Sequence, residues 1–183
     1  MKKGYLYTII FMALVSLVLT SVLALSNAAF LPTIESNTWK AKQIAILDAF
    51  GVEAENPEDF FDTYVKEKSF GNLSGYELEG QEPAYAIPFE GAGLWGTIRG
   101  YLALSEDLST ILGITFTEQS ETPGLGGRIE EEQFRDQFRQ IELKALTYDD
   151  ELQAITGATQ TSASVLRIIN HFHESVLPNL EVN

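Results

Sequence analysis

Cysteine is absent from the 183 residues, and histidine occurs only twice, at His171 and His173. Without thiolates the chain can form no disulfide, iron–sulfur cluster or thiolate zinc site. The two histidines stand two apart on what reads as a helix, where residues sharing a face are three or four apart, so they form no metal pair either. No nucleophile-elbow pattern surrounds any serine, which argues against a Ser-His-Asp hydrolase, and no GxxxxGK[ST] segment supports a nucleotide-hydrolysing phosphate loop. Positive charge is scarce too: 12 Lys and Arg face 26 Asp and Glu, a net charge of −14. Such a surface repels nucleic acid and anionic lipid headgroups, so nucleic acid is not an expected partner, and solubility alone accounts for the charge. Carboxylates are so numerous that no single pair of them marks an acid–base site. A cofactor, where one is present, is expected to be organic.

Charge is missing altogether between Gly4 and Thr33, where Tyr5 to Leu25 read "YLYTIIFMALVSLVLTSVLAL". About 20 apolar residues span a bilayer as a helix, whereas the apolar core of a cleaved signal peptide is usually about 7 to 15. A retained anchor is therefore expected over cleavage. Lys2 and Lys3 precede the run and no basic residue follows before Lys40, which places the N-terminus in the cytoplasm. Residues 1–30 are expected to be a single-pass anchor in the inner or plasma membrane, with its transmembrane helix at about 5–27, and residues 31–183 one extracytoplasmic domain.

After the span, Ile44, Leu47 and Phe50 recur at helical spacing behind Ser36 and Asn37 as caps, and Gly51 ends that helix. Asn56 and Pro57 open a second, short helix with Phe60, Phe61, Tyr64 and Val65 on one face, ending near Lys68. Runs rich in β-branched and aromatic residues predict strands at 76–78, 84–89, 94–104 and 111–118, the last two joined as a hairpin by "SEDLST". Helices are predicted over "RIEEEQFRDQFRQ", with Phe134 and Phe138 inward, and over "QTSASVLRIINHFHESVL", where Val165, Ile169, Phe172 and Val176 recur before Pro178. The acidic triplet Glu130, Glu131 and Glu132 suits the positive end of the former helix better than a calcium site. A short strand is expected within 143–156. The fold class that follows is α+β: one N-terminal transmembrane helix, then a single domain with an antiparallel sheet flanked by helices.

Two stretches stand out chemically. "AITGATQTSASV", residues 154–165, sets Thr156, Thr159, Thr161, Ser162 and Ser164 around Gly157, just before the final helix. Hydroxyls are ordinary helix caps, and on one reading these are no more than that. On the other, the unpaired N–H groups and positive dipole of the helix start hold a phosphate, with Gly157 and Ala158 leaving the approach open. "ETPGLGGR", residues 121–128, has a proline and three glycines; it is either a plain turn or a loop whose bare backbone meets a flat ligand or a phosphate. Trp95, in "GAGLWGTIRGYLAL", reads as core more readily than as a flavin-stacking residue.

Taken in order behind one membrane span, "GAGLWGTIRGYLAL", "ETPGLGGRIEEEQF" and "ITGATQTSASV" resemble the FMN-binding domain family, which includes flavin-bearing components of two membrane complexes, the sodium-translocating NADH:quinone reductase and the Rnf ion-translocating oxidoreductase. "GLWG" leans toward the former and the short chain toward the latter. The resemblance implies an electron-transfer subunit of a membrane ion-translocating oxidoreductase, a redox component without complete activity of its own. It implies FMN bound covalently through a phosphodiester to the threonine closing the [ST]GAT motif, here Thr159, installed by a flavin transferase from FAD with magnesium. By the same resemblance Thr156, Gly157, Ala158 and Thr161 surround the phosphate, Glu121, Thr122, Gly124, Leu125 and Gly126 line the flavin pocket, and Trp95 is a further contact. The implied partners are the other subunits of the complex and the transferase. Two positions depart from the family pattern: Gln153 stands where an Asp is usual six residues before the threonine, with Asp149 and Asp150 slightly too early, and Gln119 stands where a His is frequent. The alternatives are a stand-alone membrane-anchored flavin carrier and a non-redox anchored scaffold in which the threonines are only caps.

Overall fold

The computed structural model describes residues 2–80, 82–148 and 152–180, and the chain divides into two compact units, Met1–Ala41 and Lys42–Asn183. Helix α1 (Lys2–Phe50) supplies the first unit and opens the second. Tyr5, Leu6, Ile9, Phe11, Leu14 and Leu17 are all exposed on it, and it is long and apolar enough to cross a membrane, with a window of mean hydropathy 2.5. The 21 residues from Tyr5 to Leu25 rise about 32 Å as a helix, against a hydrocarbon core of about 30 Å.

The second unit is built on six antiparallel strands in sequential order: β1 (Val65–Phe70), β2 (Leu73–Leu78), β3 (Ala84–Ala92), β4 (Thr97–Ser105), β5 (Thr110–Glu118) and β6 (Ile141–Glu142). Alternation along the strands sends Tyr85, Ile87, Phe89, Leu102 and Leu104 to one face and Ala86, Tyr101 and Ala103 to the other. The former face is covered by helix α4 (Thr159–His171) through Val165, Ile168 and Ile169, and by Ile129, Phe134 and Phe138 of the segment after β5. The latter is covered by Ile46, Leu47 and Ala49 at the end of α1 and by Phe61 of helix α2 (Pro57–Tyr64). Asp48 joins the two sides at the rim: it pairs with Arg135, and Arg139 Nη2 lies 3.4 Å from its carboxylate and 3.1 Å from its carbonyl oxygen.

Several predicted boundaries move for physical reasons. Ser36 and Asn37 lie inside α1 instead of capping a new helix, since a cap preference of about 1 kcal/mol cannot interrupt a helix that nothing else stops. That helix ends where Gly51 takes φ 73° and the N–H groups of Gly51 and Val52 return to the carbonyls of Asp48 and Leu47, a Schellman closure. The predicted tail of α2 is strand β1, an edge strand burying only Val65 and Phe70, with Lys66–Glu79 and Lys68–Glu77 paired across to β2 and the residue after it. Residues 128–140 are not one helix but a 3-10 segment (Gly126–Glu130), a single turn α3 (Glu132–Arg135) and a second 3-10 turn (Asp136–Phe138). On a straight helix Ile129 and Phe134 would point about 140° apart; extended Glu131 (ψ 139°) resets the direction, and both side chains reach the core. α4 stops at His171, and a wider turn (Phe172–Val176) and a 3-10 turn (Leu177–Asn179) complete the predicted helix. Within 143–156 the described residues hold one bridge, Tyr148 to Leu152; Asp149 and Asp150 lie outside the described residues.

Two features of this sheet are directly testable. α4 lies so close to β3 that a Cβ on Gly91 would overlap Ile168 Cγ1 and come within 3.0 Å of Ile168 Cδ1. Gly91→Ala is expected to destabilise the domain by about 1–3 kcal/mol, and to cost clearly less in an Ile168→Ala background, where the overlapping Cγ1 is gone, both read by chemical denaturation. In the β4–β5 turn, hydrogen bonds from the Ser105 and Ser109 hydroxyls and the Ser109 N–H lower the Asp107 pKa from the ordinary 3.8 to about 2. A depressed carboxylate contributes its stability above the unfolded value and loses it as pH falls through the folded one. An NMR titration should therefore place the Asp107 midpoint near 2, and Ser105→Ala should move it up toward 3.8.

Candidate functional site

Pairing of β3 with β4 ends at Ala92 and Thr97, so the turn 93–96 sits at the end of the sheet, closed by Gly93 N–H donating to Gly96 O at 2.8 Å. The loop after β5 folds back beside it: Leu125 and Gly127 donate their N–H groups to Thr122 O at 3.1 and 3.0 Å, and Gly124 makes the reversal at φ 74°. The third component is the start of α4.

Glu121 fastens these three pieces together. Its side chain is buried at 4% exposure. Oε1 accepts from the N–H groups of Leu94 (2.8 Å) and Trp95 (3.0 Å), and Oε2 accepts from Thr161 Oγ1 at 2.6 Å. Gln119 orients it from behind, its Oε1 accepting the Glu121 N–H at 2.6 Å. The junction is so tight that a Cβ on Gly126 would stand 2.5 Å from Thr161 Oγ1 and 2.9 Å from Glu121 Oε2; glycine is needed there for space, not for its backbone angles.

The hydroxyls do not serve as caps. Ala158 occupies the cap position of α4, with no side-chain cap bond. Thr161 donates to Glu121, Ser162 Oγ accepts from Ile155 N–H at 3.0 Å, and Ser164 donates to Gln160 O at 3.0 Å. Tyr148 donates to Ser162 O at 2.7 Å and, with its pKa raised by burial, does so as the neutral phenol. Thr156 and Thr159 are exposed, and neither hydroxyl has a hydrogen-bond partner among the described residues. Since the first intrahelical bond is Ser162 N–H to Ala158 O, the N–H groups of the first turn are left for another acceptor.

A cleft of about 410 Å³ opens at this helix start, lined by Leu94 and Trp95, by Glu121, Thr122, Leu125 and Gly126, and by residues 157–161. Nine of the eleven sequence-predicted site residues thus come together: Trp95, Glu121, Thr122, Leu125, Gly126, Gly157, Ala158, Thr159 and Thr161. Gly124 shapes the loop without lining the cleft, and Thr156 borders a neighbouring cavity of about 260 Å³ with Arg128 and Gln153. Leu94 and Gln160 were not singled out in the sequence, although both adjoin motifs that were. Trp95 is 70% exposed, a rim residue and not the core residue its composition suggests.

Residues 93–173 match the FMN-binding domain family. The chain matches over 81 of its 183 residues. Its relatives include the C subunit of the Na(+)-translocating NADH-quinone reductase of Pasteurella multocida, 37% identical over 100 residues (47% of this chain, 38% of the relative), and that of Chlamydia trachomatis, 49% identical over 53 residues (29% and 17%). The chain therefore spans well under two thirds of the length of the curated relatives it matches. The fold is shared with NqrC of Shewanella oneidensis (TM-score 0.60, 20% identity, 73% of this chain and 92% of that one). It is shared equally with the corresponding Na(+)-translocating NADH-quinone reductase component of Parabacteroides distasonis (TM-score 0.65, 23% identity, 84% and 98%).

The residues that line the cleft suit FMN. The cleft lies within the roughly 300–1,000 Å³ of small-molecule sites. Exposed Leu94, Trp95 and Leu125 offer apolar walls to a flat ring, and the uncapped start of α4 offers N–H donors and a positive dipole to a phosphate. Thr161→Val removes one donor from a buried carboxylate and is expected to cost about 1–3 kcal/mol in denaturant unfolding.

Proposed function

We propose that the domain holds FMN in the cleft at the start of α4, through a phosphodiester on Thr159, and that the protein relays electrons as a subunit of a membrane NADH:quinone reductase of the sodium-translocating kind. The observation that carries this reading is an exposed Thr159 hydroxyl, without a protein partner among the described residues, at an uncapped helix start inside a cleft of suitable size. FMN supplies the redox chemistry, taking up electrons from a donor and passing them on. The protein positions it: first-turn amides of α4 face the phosphate, Gly157 at φ 85° leaves the chain open beside it, and Leu94, Trp95 and Leu125 border the ring.

Attachment needs a flavin transferase, in which Thr159 Oγ bonds to the flavin phosphate of FAD as the anhydride bond to AMP breaks and the hydroxyl proton departs. The approach supports this. Residues 156, 157, 159 and 160 are exposed, and Gln153, in place of the usual Asp, also faces solvent while its backbone is held by Gln137, which accepts its N–H at 2.6 Å. In this reading α1 anchors the protein with its N-terminus in the cytoplasm and the domain on the far side, and other subunits supply the electron donor and acceptor.

Intact mass of the full chain, coexpressed with a transferase in exported form, tests the proposal. A gain of one FMN less water, absent from Thr159→Ala, is the expected result. No gain beside a transferase active on another substrate would overturn the covalent link, and a chain retaining no FMN at all would overturn the cofactor assignment.

A further inference from the structure

We infer that Glu121 is a positioning residue of the FMN cleft: its buried carboxylate locks the Trp95 turn to the start of α4 and sets a negative charge in the cleft wall that makes bound flavin harder to reduce. Only the second half rests on the cofactor reading above.

The lock follows from the bonding. Trp95 is 70% exposed, so packing does little to hold its turn. The Gly93–Gly96 bond closes the turn on itself, and what ties it to α4 is the pair of N–H bonds from Leu94 and Trp95 to Oε1, while Oε2 grips Thr161 in the first turn of that helix. One side chain thereby spans the cleft from rim to helix, and its length matters: with one methylene fewer, an aspartate could not reach both.

The charge follows from what surrounds it. Glu121 has no cationic partner among the described residues; two amides and one hydroxyl are its donors. Burying a carboxylate without a counter-ion is costly. A glutamine of the same shape would accept the same two backbone bonds and, by turning the Thr161 hydroxyl, keep the third, so geometry alone does not require the charge. Among the described residues no Lys, Arg or His lines the cleft, and Glu121 is the one ionisable lining group. A flavin that takes up two electrons and one proton, delivered by dithionite through mediator dyes in the experiment below, ends with one more negative charge. A poorly screened carboxylate in the wall opposes that change.

Two substitutions in the full chain separate shape from charge: Glu121→Gln keeps the reach and loses the charge, and Glu121→Asp does the reverse. Without cofactor, amide hydrogen exchange at Leu94 and Trp95 is expected to match the parent in Glu121→Gln and to be about tenfold faster in Glu121→Asp. With FMN loaded, Glu121→Gln is expected to favour the reduced flavin at least tenfold more than the parent, a midpoint about 30 mV higher for a two-electron couple. Parent-like exchange in Glu121→Asp overturns the lock, and a parent-like midpoint in Glu121→Gln overturns the charge effect. A parent chain that retains no FMN removes the cofactor reading and the charge effect with it, while the exchange comparison still decides the lock.

Discussion

Six antiparallel strands in sequence order form a sheet with two apolar faces, and a sheet of that kind is stable in water only when both are covered. The covering elements come from opposite ends of the domain's chain: the last turns of α1 with α2 on one face, α4 and the segment after β5 on the other. Placement of the site is a consequence of that demand. To seal its face α4 must lie across β3, close enough that Gly91 meets Ile168 directly. Once it does, the first turn of the helix arrives where the β3–β4 turn leaves the sheet and the loop after β5 folds back. The cleft is the gap left among three chain reversals at one end of a packed layer, where ligand sites on sheet scaffolds commonly form.

The same burial explains why the two cores differ in character. The α4 face is filled by large side chains, Phe70, Phe138 and Phe172 among them, whereas the α1 face includes Ala49, Ala86 and Ala103 beside two tyrosines. Lys42 rests between those tyrosines, with Nζ 5.1 Å from the Tyr76 ring centre and 5.8 Å from that of Tyr101. Burial opposes its charge, but the two hydroxyls more than offset this and raise its pKa, while burial also raises that of Tyr101. The second unit thus begins on a cation seated over aromatic rings, an arrangement that suits a stem of four methylenes with a polar head.

Much of this was legible in the sequence, and the parts that were not have a common cause. Strands β3, β4 and β5 announced themselves through β-branched and aromatic residues, and the family resemblance named nine of the residues that line the cleft, seven of them within "ETPGLGG" and "TGAT". Strand β1, "VKEKSF", was missed because an edge strand buries only its end residues and reads as polar surface. The broken helix at 126–138 was missed because Phe134 and Phe138 alone have helical spacing; only the need to bring Ile129 to the same core reveals the kink at Glu131. Trp95 was misjudged in the opposite sense, since composition places tryptophan inside and only tertiary structure shows a ring standing at a cleft mouth. In each case spacing described one side chain correctly and missed the nonlocal partner that set its direction.

The start of α4 shows where stability was not maximised. A Ser or Thr at position 158 would cap the helix and add about 1 kcal/mol, and hydroxyl residues are plentiful on both sides. The chain has Ala158 there, commits Thr161 to Glu121, turns Ser162 toward Ile155, and leaves the Thr159 hydroxyl facing the cleft. At the same point it buries a carboxylate that packing alone does not require. Both choices cost folding free energy, and both act on the same few ångströms of space. Gly51 closes α1 with returning N–H bonds and Asp48 has Arg135 and Arg139 beside it, whereas at the start of α4 an uncapped helix and a carboxylate without a cation, among the described residues, occur together. On the proposed reading, a site whose amides and hydroxyl are kept free for a phosphate must leave the helix uncapped, and one that restrains the reduction of a bound flavin must tolerate a nearby negative charge.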